Sequence, residues 1–295
     1  MPPEQARPRA AAAFTSNGVP VAFSDRFFAP MRDSTALLAD PAGLRERFAH
    51  DGYVLLRGLL DRGAVLALRA AYFAAFPAGY FRQGTDPADG IWSGCPAEGL
   101  PSYGVPGHPA HDFVRGPRFA AFTAQPVLAG LAEDLLGGPA TLLPRRVLRH
   151  FDAGSRQATR AHVDRAYPSG AGSDLVTLWI PLGDCPARAG GVVYLEGSHR
   201  IDAAVVDGPR TVTDRPDDAR PISHDLAWTA RTLGGRWLWT DFAAGDVAAH
   251  CPDIVHATLD PSGELMRLSA DIRFQRTGQP VLAEWSKPWS ADDGA

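Results

Sequence analysis

Four residues carry most of the chemical potential of this chain: His162, Asp164, His256 and Arg267. A histidine and an aspartate two positions apart, joined by a distant second histidine, make up the facial triad of non-haem Fe(II) sites. Two imidazoles and a carboxylate take one face of the ion and leave positions open for substrate and dioxygen. A guanidinium following the last ligand suits a dicarboxylate co-substrate such as 2-oxoglutarate, because its planar fork pairs with a carboxylate and stays charged. The chain holds a rival for each half of the set. His150-Phe151-Asp152 repeats the His-x-Asp form, and His250 flanks Cys251-Pro252 on the side opposite His256.

Context separates the rivals. Residues i and i+2 of an extended strand share a face, so His162 and Asp164 can both point into a barrel while Val163 points out. His150 comes near the end of a strand that turns at Asp152-Ala153-Gly154, whereas His162-Val163-Asp164 precedes a polar turn and a strand over Leu175 to Pro181. The distal histidine should lie on a segment returning towards a basic residue. His256 fits, since a turn at Asp260-Pro261-Ser262-Gly263 leads from it to Arg267.

The elements that must position these residues change along the chain. Asp40-Pro41 reads as an N-cap and first-turn proline of a helix carrying Leu44 and Phe48 and ending at Asp51-Gly52. Tyr53 to Gly58 has the make-up of a half-buried strand, and Asp61 caps a helix through Val65, Leu68, Ala71 and Phe73. Gly and Pro exclude regular elements from 84–113, a loop whose Trp92, Tyr103, His108, His111 and Phe113 suit a lid. Residues 117–137 read as one helix stopped by Gly137-Gly138. Short β-rich runs follow, over 141–151, 174–181, 191–195, 237–240, 246–249 and 266–274. The fold class is therefore mainly β with flanking helices, an antiparallel jelly-roll barrel. Residues 1–30 and 281–295 are expected as tails around one domain over 31–280, and a polar insertion at 201–235, with Thr213 to Asp218 at its most charged, is expected at the mouth as a second lid.

Composition bounds the partners. The 295 residues carry a formal net charge of −4 and no Lys/Arg-rich run, which disfavours nucleic acid and leaves a small molecule as the natural partner. Cys95, Cys185 and Cys251 are odd in number and lack CxxC spacing, as suits a reducing cytoplasm. No apolar run has membrane length and the N-terminus lacks a signal-peptide core, so no membrane association is expected. Oligomeric state has no signature here.

Three further stretches carry a family resemblance. Phe48 to Gly58, then Leu178-Trp179-Ile180-Pro181-Leu182 with Gly190 to Arg200 ending in Gly197-Ser198-His199, and finally Gly245-Asp246 through His256 to Arg267 resemble the successive motifs of the phytanoyl-CoA dioxygenase family. These are Fe(II)/2-oxoglutarate oxygenases on a double-stranded β-helix, a cupin-like jelly roll. The resemblance spans roughly residues 43–275 and implies His162, Asp164 and His256 as iron ligands, with Arg267 on the distal carboxylate of 2-oxoglutarate. It also places Thr258 on that carboxylate and Trp179 along the cofactor wall, and leaves His199 structural. Related halogenases have a small residue in place of the carboxylate ligand, so Asp164 points to hydroxylation, ring closure or desaturation. Together these imply oxidation of a natural-product intermediate, as in antibiotic biosynthesis, consuming O2 and 2-oxoglutarate and releasing succinate and CO2. The competing classes are a cupin-like metal-dependent isomerase and a non-catalytic small-molecule binder, neither of which needs Arg267.

Overall fold

The computed structural model describes residues 13–165, 174–208, 222–281, 283 and 285–290. In chain order these form β1 (Ala13–Ser16), β2 (Val19–Ala22), β3 (Phe28–Pro30), α1 (Pro41–Asp51), β4 (Tyr53–Leu56) and α2 (Arg62–Phe73). Next come α3 (Pro109–Arg115), α4 (Pro117–Thr123), α5 (Pro126–Leu136), β5 (Ala140–Leu142), β6 (Val147–Phe151), β7 (Leu175–Pro181) and β8 (Val192–Leu195). The last elements are α6 (Ala203–Asp207), α7 (Leu226–Leu233), β9 (Trp237–Trp239), β10 (Val247–His250), β11 (His256–Thr258) and β12 (Arg267–Arg276).

Local chemistry explains the helix boundaries. α1, α3, α4 and α5 each begin on a proline, whose fixed φ and missing N–H suit the first helical position. Asp40 caps α1 by accepting from Gly43, and Asp61 caps α2 by accepting from Ala64. The same rule divides the expected helix at 117–137, because Pro126 cannot continue α4 and instead starts α5. It also shortens the expected loop at 84–113, where Pro109 opens α3 and a 3-10 turn forms at Pro87–Asp89.

Apart from the β1-β2 hairpin, the described strands form two facing sheets. The larger runs β4-β10-β7-β12-β5, with β6 also paired to β12, and the smaller runs β11-β8-β9-β3. This is the expected jelly-roll arrangement, although the two sheets are not joined by hydrogen bonds into a closed barrel. The period-2 alternation of the long β12 divides it cleanly. Leu268, Ala270, Ile272 and Phe274 join Val54, Leu178 and Val247 in a core covered by α1, α2 and α5. Arg267, Ser269, Asp271, Arg273 and Gln275 are buried on the other face, between the sheets. Because helices cover one side and the smaller sheet the other, β4 is buried at every position, not half-buried as its sequence suggests.

The described parts of both expected tails are packed into the fold. Residues 13–30 form a hairpin and the edge strand β3, with Phe14, Val21 and Phe28 buried against Trp237 and Trp239. Near the other end Trp285 and Trp289 are buried, since apolar side chains of that size gain several times thermal energy by leaving water. The 201–235 segment is also recast. Thr213 to Asp218 lie outside the described residues, but α7 packs Leu226, Ala227 and Ala230 beneath the smaller sheet and so is a core element. Among the described residues no helix is long and apolar enough to cross a membrane.

Candidate metal centre

His162 and Asp164 do not sit on a regular strand. Residues 161–162 form isolated antiparallel bridges, His162 pairing with His256 of β11, and the Asp164 N–H donates to Pro252 O at 2.9 Å. The i, i+2 logic survives because the segment is extended: both side chains point inward and Val163 packs outward with Val255 and Ala257. Nearby, Ser198 of the Gly-Ser-His turn donates to Leu195 O at 2.7 Å and accepts the Val255 N–H at 2.9 Å, tying down the residue before His256.

The two imidazoles are oriented as a metal site would need them. His162 Nδ1 lies 2.8 Å from Arg160 O and His256 Nδ1 lies 3.0 Å from Ile254 O. A carbonyl can only accept, so each Nδ1 carries the proton and each Nε2 keeps its lone pair. Those Nε2 atoms lie 3.8 Å and 3.9 Å from Asp164 Oδ1, and ligand atoms of all three residues fall within 4.8 Å of one another. The other carboxylate oxygen is held from behind, accepting from Thr177 Oγ1 at 2.7 Å, while Arg273 Nη2 is 3.0 Å from both oxygens. Burial opposes ionisation of Asp164, but Arg273 and the His250 and His256 rings outweigh it and keep its carboxyl well below the usual range. Burial, with His162 and His250 adding to it, holds the pKa of His256 well below that of a free imidazole. The donor set, two neutral imidazoles and one carboxylate on one side of a common point, fits a divalent iron.

The rival pair is elsewhere. His150 lies on the opposite face of β6 from Phe151 and is buried among the helices, between the hydroxyls of Tyr72 (2.9 Å) and Tyr80 (3.0 Å). Tyr80 in turn donates to Asp152. Its oxygen therefore accepts from His150 Nε2–H, and Nδ1 accepts from Tyr72, which makes a satisfied structural network. His250, the other rival, is nearer the centre than its sequence position suggests. Its Nε2 is 3.5 Å from Asp164 Oδ2 and its Nδ1 meets Tyr194 Oη at 3.0 Å, behind the carboxylate.

Arg267 lies further along the inward face of β12, 2% exposed, with the Phe151 ring 4.2 Å from its guanidinium. All three of its guanidine nitrogens are buried without a hydrogen-bond partner, and burial lowers its pKa to about 10, so it stays cationic at neutral pH. A buried, unpaired guanidinium is costly, and an incoming carboxylate is the group that offsets it. Trp179, packed on Phe242, presents a buried and unpartnered Nε1 to the same interior. The Thr258 hydroxyl accepts the Thr159 N–H at 2.8 Å, and Trp179 and Thr258 are both buried between the sheets.

A cavity of about 610 Å³ opens onto His162 and Asp164. Its walls include Tyr103 and Val105 from the 84–113 loop, together with Trp285 and Trp289 from the C-terminal segment. Arg273 and Thr177 escaped the sequence reading, although the strict alternation of polar and apolar residues along 267–275 was a signal that an inward polar stripe existed.

Fold and site together define a non-haem iron oxygenase dependent on 2-oxoglutarate. The model of the phytanoyl-CoA dioxygenase family matches residues 48–267, and the chain belongs to that family. A 1-deoxypentalenic acid 11-beta-hydroxylase from Streptomyces arenae is 28% identical over 287 residues, covering 91% of this chain and 93% of the relative. The Streptomyces exfoliatus enzyme of the same name is 28% identical over 288 residues, covering 89% and 92%. Among solved structures, the epimerase SnoN, in complex with Fe3+, alpha ketoglutarate and nogalamycin RO, superposes with a TM-score of 0.54 at 21% identity, covering 81% of this chain and 84% of its own. EctD from S. alaskensis with bound Fe gives 0.56 at 15% identity, covering 94% and 86%. These last two likenesses concern the fold.

Proposed function

We propose that this chain oxidises a small natural-product molecule, with His162, Asp164 and His256 holding iron and Arg267 holding the distal carboxylate of 2-oxoglutarate. One observation carries the reading: ligand atoms of His162, Asp164 and His256 converge within 4.8 Å, the first two residues lining a cavity, and an unpartnered guanidinium is buried on the inward face of β12. A cupin-like isomerase that uses no 2-oxoglutarate, or a simple binder, would have no use for that guanidinium. The relatives named for 1-deoxypentalenic acid hydroxylation support a natural-product substrate, and three free cysteines support a reducing cytoplasm as its compartment.

Iron and 2-oxoglutarate together supply dioxygen activation, with release of succinate and CO2. The chain supplies placement. The Nδ1–H contacts of His162 and His256 aim their lone pairs, while Thr177 and Arg273 orient Asp164. Arg267 draws the co-substrate inward, with Trp179 and Thr258 beside it, and Phe151, Trp285 and Trp289 exclude water from the reacting region. The test is succinate formation from 2-oxoglutarate with Fe(II), ascorbate and O2. Absence of both turnover and 2-oxoglutarate binding would favour the isomerase or binder.

A further inference from the structure

The cavity is basic in a chain that is not. Formal net charge is −4, yet among the described residues the walls carry Arg145, Arg149, Arg156, Arg160 and Arg273 against a single carboxylate, Asp164. Two of these arginines are built into the sheet. Arg149 projects from the inward face of β6 and pairs with Asp271 at 2.5 Å. Arg273 is 4% exposed and uses only Nη2 on Asp164, so its Nε and Nη1 are buried with no partner. Its guanidinium stacks 4.1 Å from the Trp285 ring, and that of Arg145 approaches the same ring at 5.8 Å.

The charge balance of the interior points the same way. Among the described residues between the sheets, Arg149, Arg267 and Arg273 face Asp164 and Asp271, which leaves one positive charge in excess among them. A divalent iron and the 2-oxoglutarate dianion cancel each other, so the excess persists in the loaded enzyme. An uncompensated guanidinium in a low-dielectric cavity costs several kcal/mol unless an anion joins it. Apolar and aromatic walls come from Val147, Phe151, Tyr103, Trp285 and Trp289, with the polar Asn17, Gln157, Thr159 and His224 elsewhere in the lining. The volume suits a compact small molecule.

Building on the oxygenase reading, we propose that the substrate is a compact apolar molecule bearing a carboxylate, which Arg273 and Arg145 hold beside Trp285 while its apolar body lies over the iron ligands. A coenzyme A thioester would set its phosphates outside the cavity, away from Arg273. The carboxylate gives the enzyme a fixed handle, so that the carbon presented for oxidation is chosen by its distance from that handle.

The test uses the full chain loaded with Mn(II) and 2-oxoglutarate, with 1-adamantanecarboxylate, its neutral carboxamide and its coenzyme A thioester as probes. Binding is read by calorimetry and by the fluorescence of the pocket tryptophans. The acid should bind about tenfold or more tighter than the amide, the worth of one charge-assisted hydrogen bond. Arg273→Gln and Arg145→Gln should each remove most of that preference, and Arg145→Gln should leave amide and 2-oxoglutarate affinities within about twofold. Because Arg273 also touches Asp164, Mn(II) affinity is measured for each variant, and Arg145→Gln decides if Arg273→Gln loses metal or fold. Equal binding of acid and amide, no binding of the acid, tightest binding of the thioester, or an Arg145→Gln variant that weakens 2-oxoglutarate as much as the acid would each overturn the proposal. Failure to load Mn(II) and 2-oxoglutarate at all would instead strike the oxygenase reading.

Discussion

His162 and His256 exchange two backbone hydrogen bonds, His162 N–H to His256 O at 3.0 Å and His256 N–H to His162 O at 2.9 Å. Their rings stand 4.1 Å apart as a consequence. A directly opposed antiparallel pair has a separation set by the ladder and not by the chain between its members, so the two imidazoles are pre-spaced for one ion.

Removing one member of that pair should abolish metal binding. His162→Ala is expected to lose more than about 100-fold in Fe(II) or Mn(II) affinity, beyond the loss typical of an outer hydrogen-bond partner. His150→Ala should bind metal as the parent does while losing about 2–4 kcal/mol of stability, because Tyr72 and Tyr80 lose a buried partner. Calorimetric metal titration and denaturant unfolding of both variants check this, and a reversal of the two outcomes would move the centre to the other His-x-Asp pair.

Arg267→Ala should separate co-substrate from metal. Iron content is expected to stay at the parental level, while 2-oxoglutarate binding weakens by about 2–5 kcal/mol, the cost of truncating one side of a buried charge-assisted pair. Titration of 2-oxoglutarate into the Mn(II)-loaded variant measures it.

Acid should destabilise the fold through buried neutral histidine. Burial, with His111 adding to it, lowers the pKa of His108 to about 4, below the roughly 6.5 of an unfolded chain. The unfolded state therefore binds the extra proton first. His108 contributes its full stability above about pH 6.5 and loses it as pH falls towards about 4, with a slope of up to about 1.4 kcal/mol per pH unit. His108→Asn keeps a side-chain acceptor for the Ala110 N–H and removes the titration, so unfolding free energies between pH 7.5 and 5 should fall less steeply in the variant. Parallel slopes would exclude His108 as the source.

Gly52 closes α1 with φ +76°, and a Cβ added there would lie 2.5 Å from His199 Nδ1. Gly52→Ala should therefore cost at least about 1–2 kcal/mol, the penalty of a left-handed non-glycine residue before any clash. Combining it with His199→Ala should cost less than the two single losses added, since the second change removes the obstructing ring. Thermal unfolding of the four proteins gives the coupling, and strict additivity would show that His199 does not press on this helix end.

Much of the frame was legible because it rests on short-range chemistry. Asp40-Pro41 and Asp61 mark the starts of α1 and α2, as capping chemistry requires. The alternation from Arg267 to Gln275 marks a strand with one polar, inward face. Where elements compete at longer range, local reading fell short. Pro126 broke a helix that periodicity alone would have continued, and Trp285 and Trp289 were drawn from an apparent tail into the cavity wall by burial against residues distant in sequence.

The sequence by itself determined the candidate ligand types, their order, and the guanidinium that follows the last of them. Only the tertiary structure decided which His-x-Asp pair faces the interior. The two pairs are alike in form, and a strand's inward face is set by parity. His150 and Asp152 alternate with Phe151, so when Phe151 turns towards Arg267 and the cavity, His150 is carried to the face that α2 covers. His162 and Asp164 fall on the other side because the His256 ladder pins their register. That choice depends on which side of a sheet the helices cover, a long-range packing outcome that no spacing within a tripeptide can express.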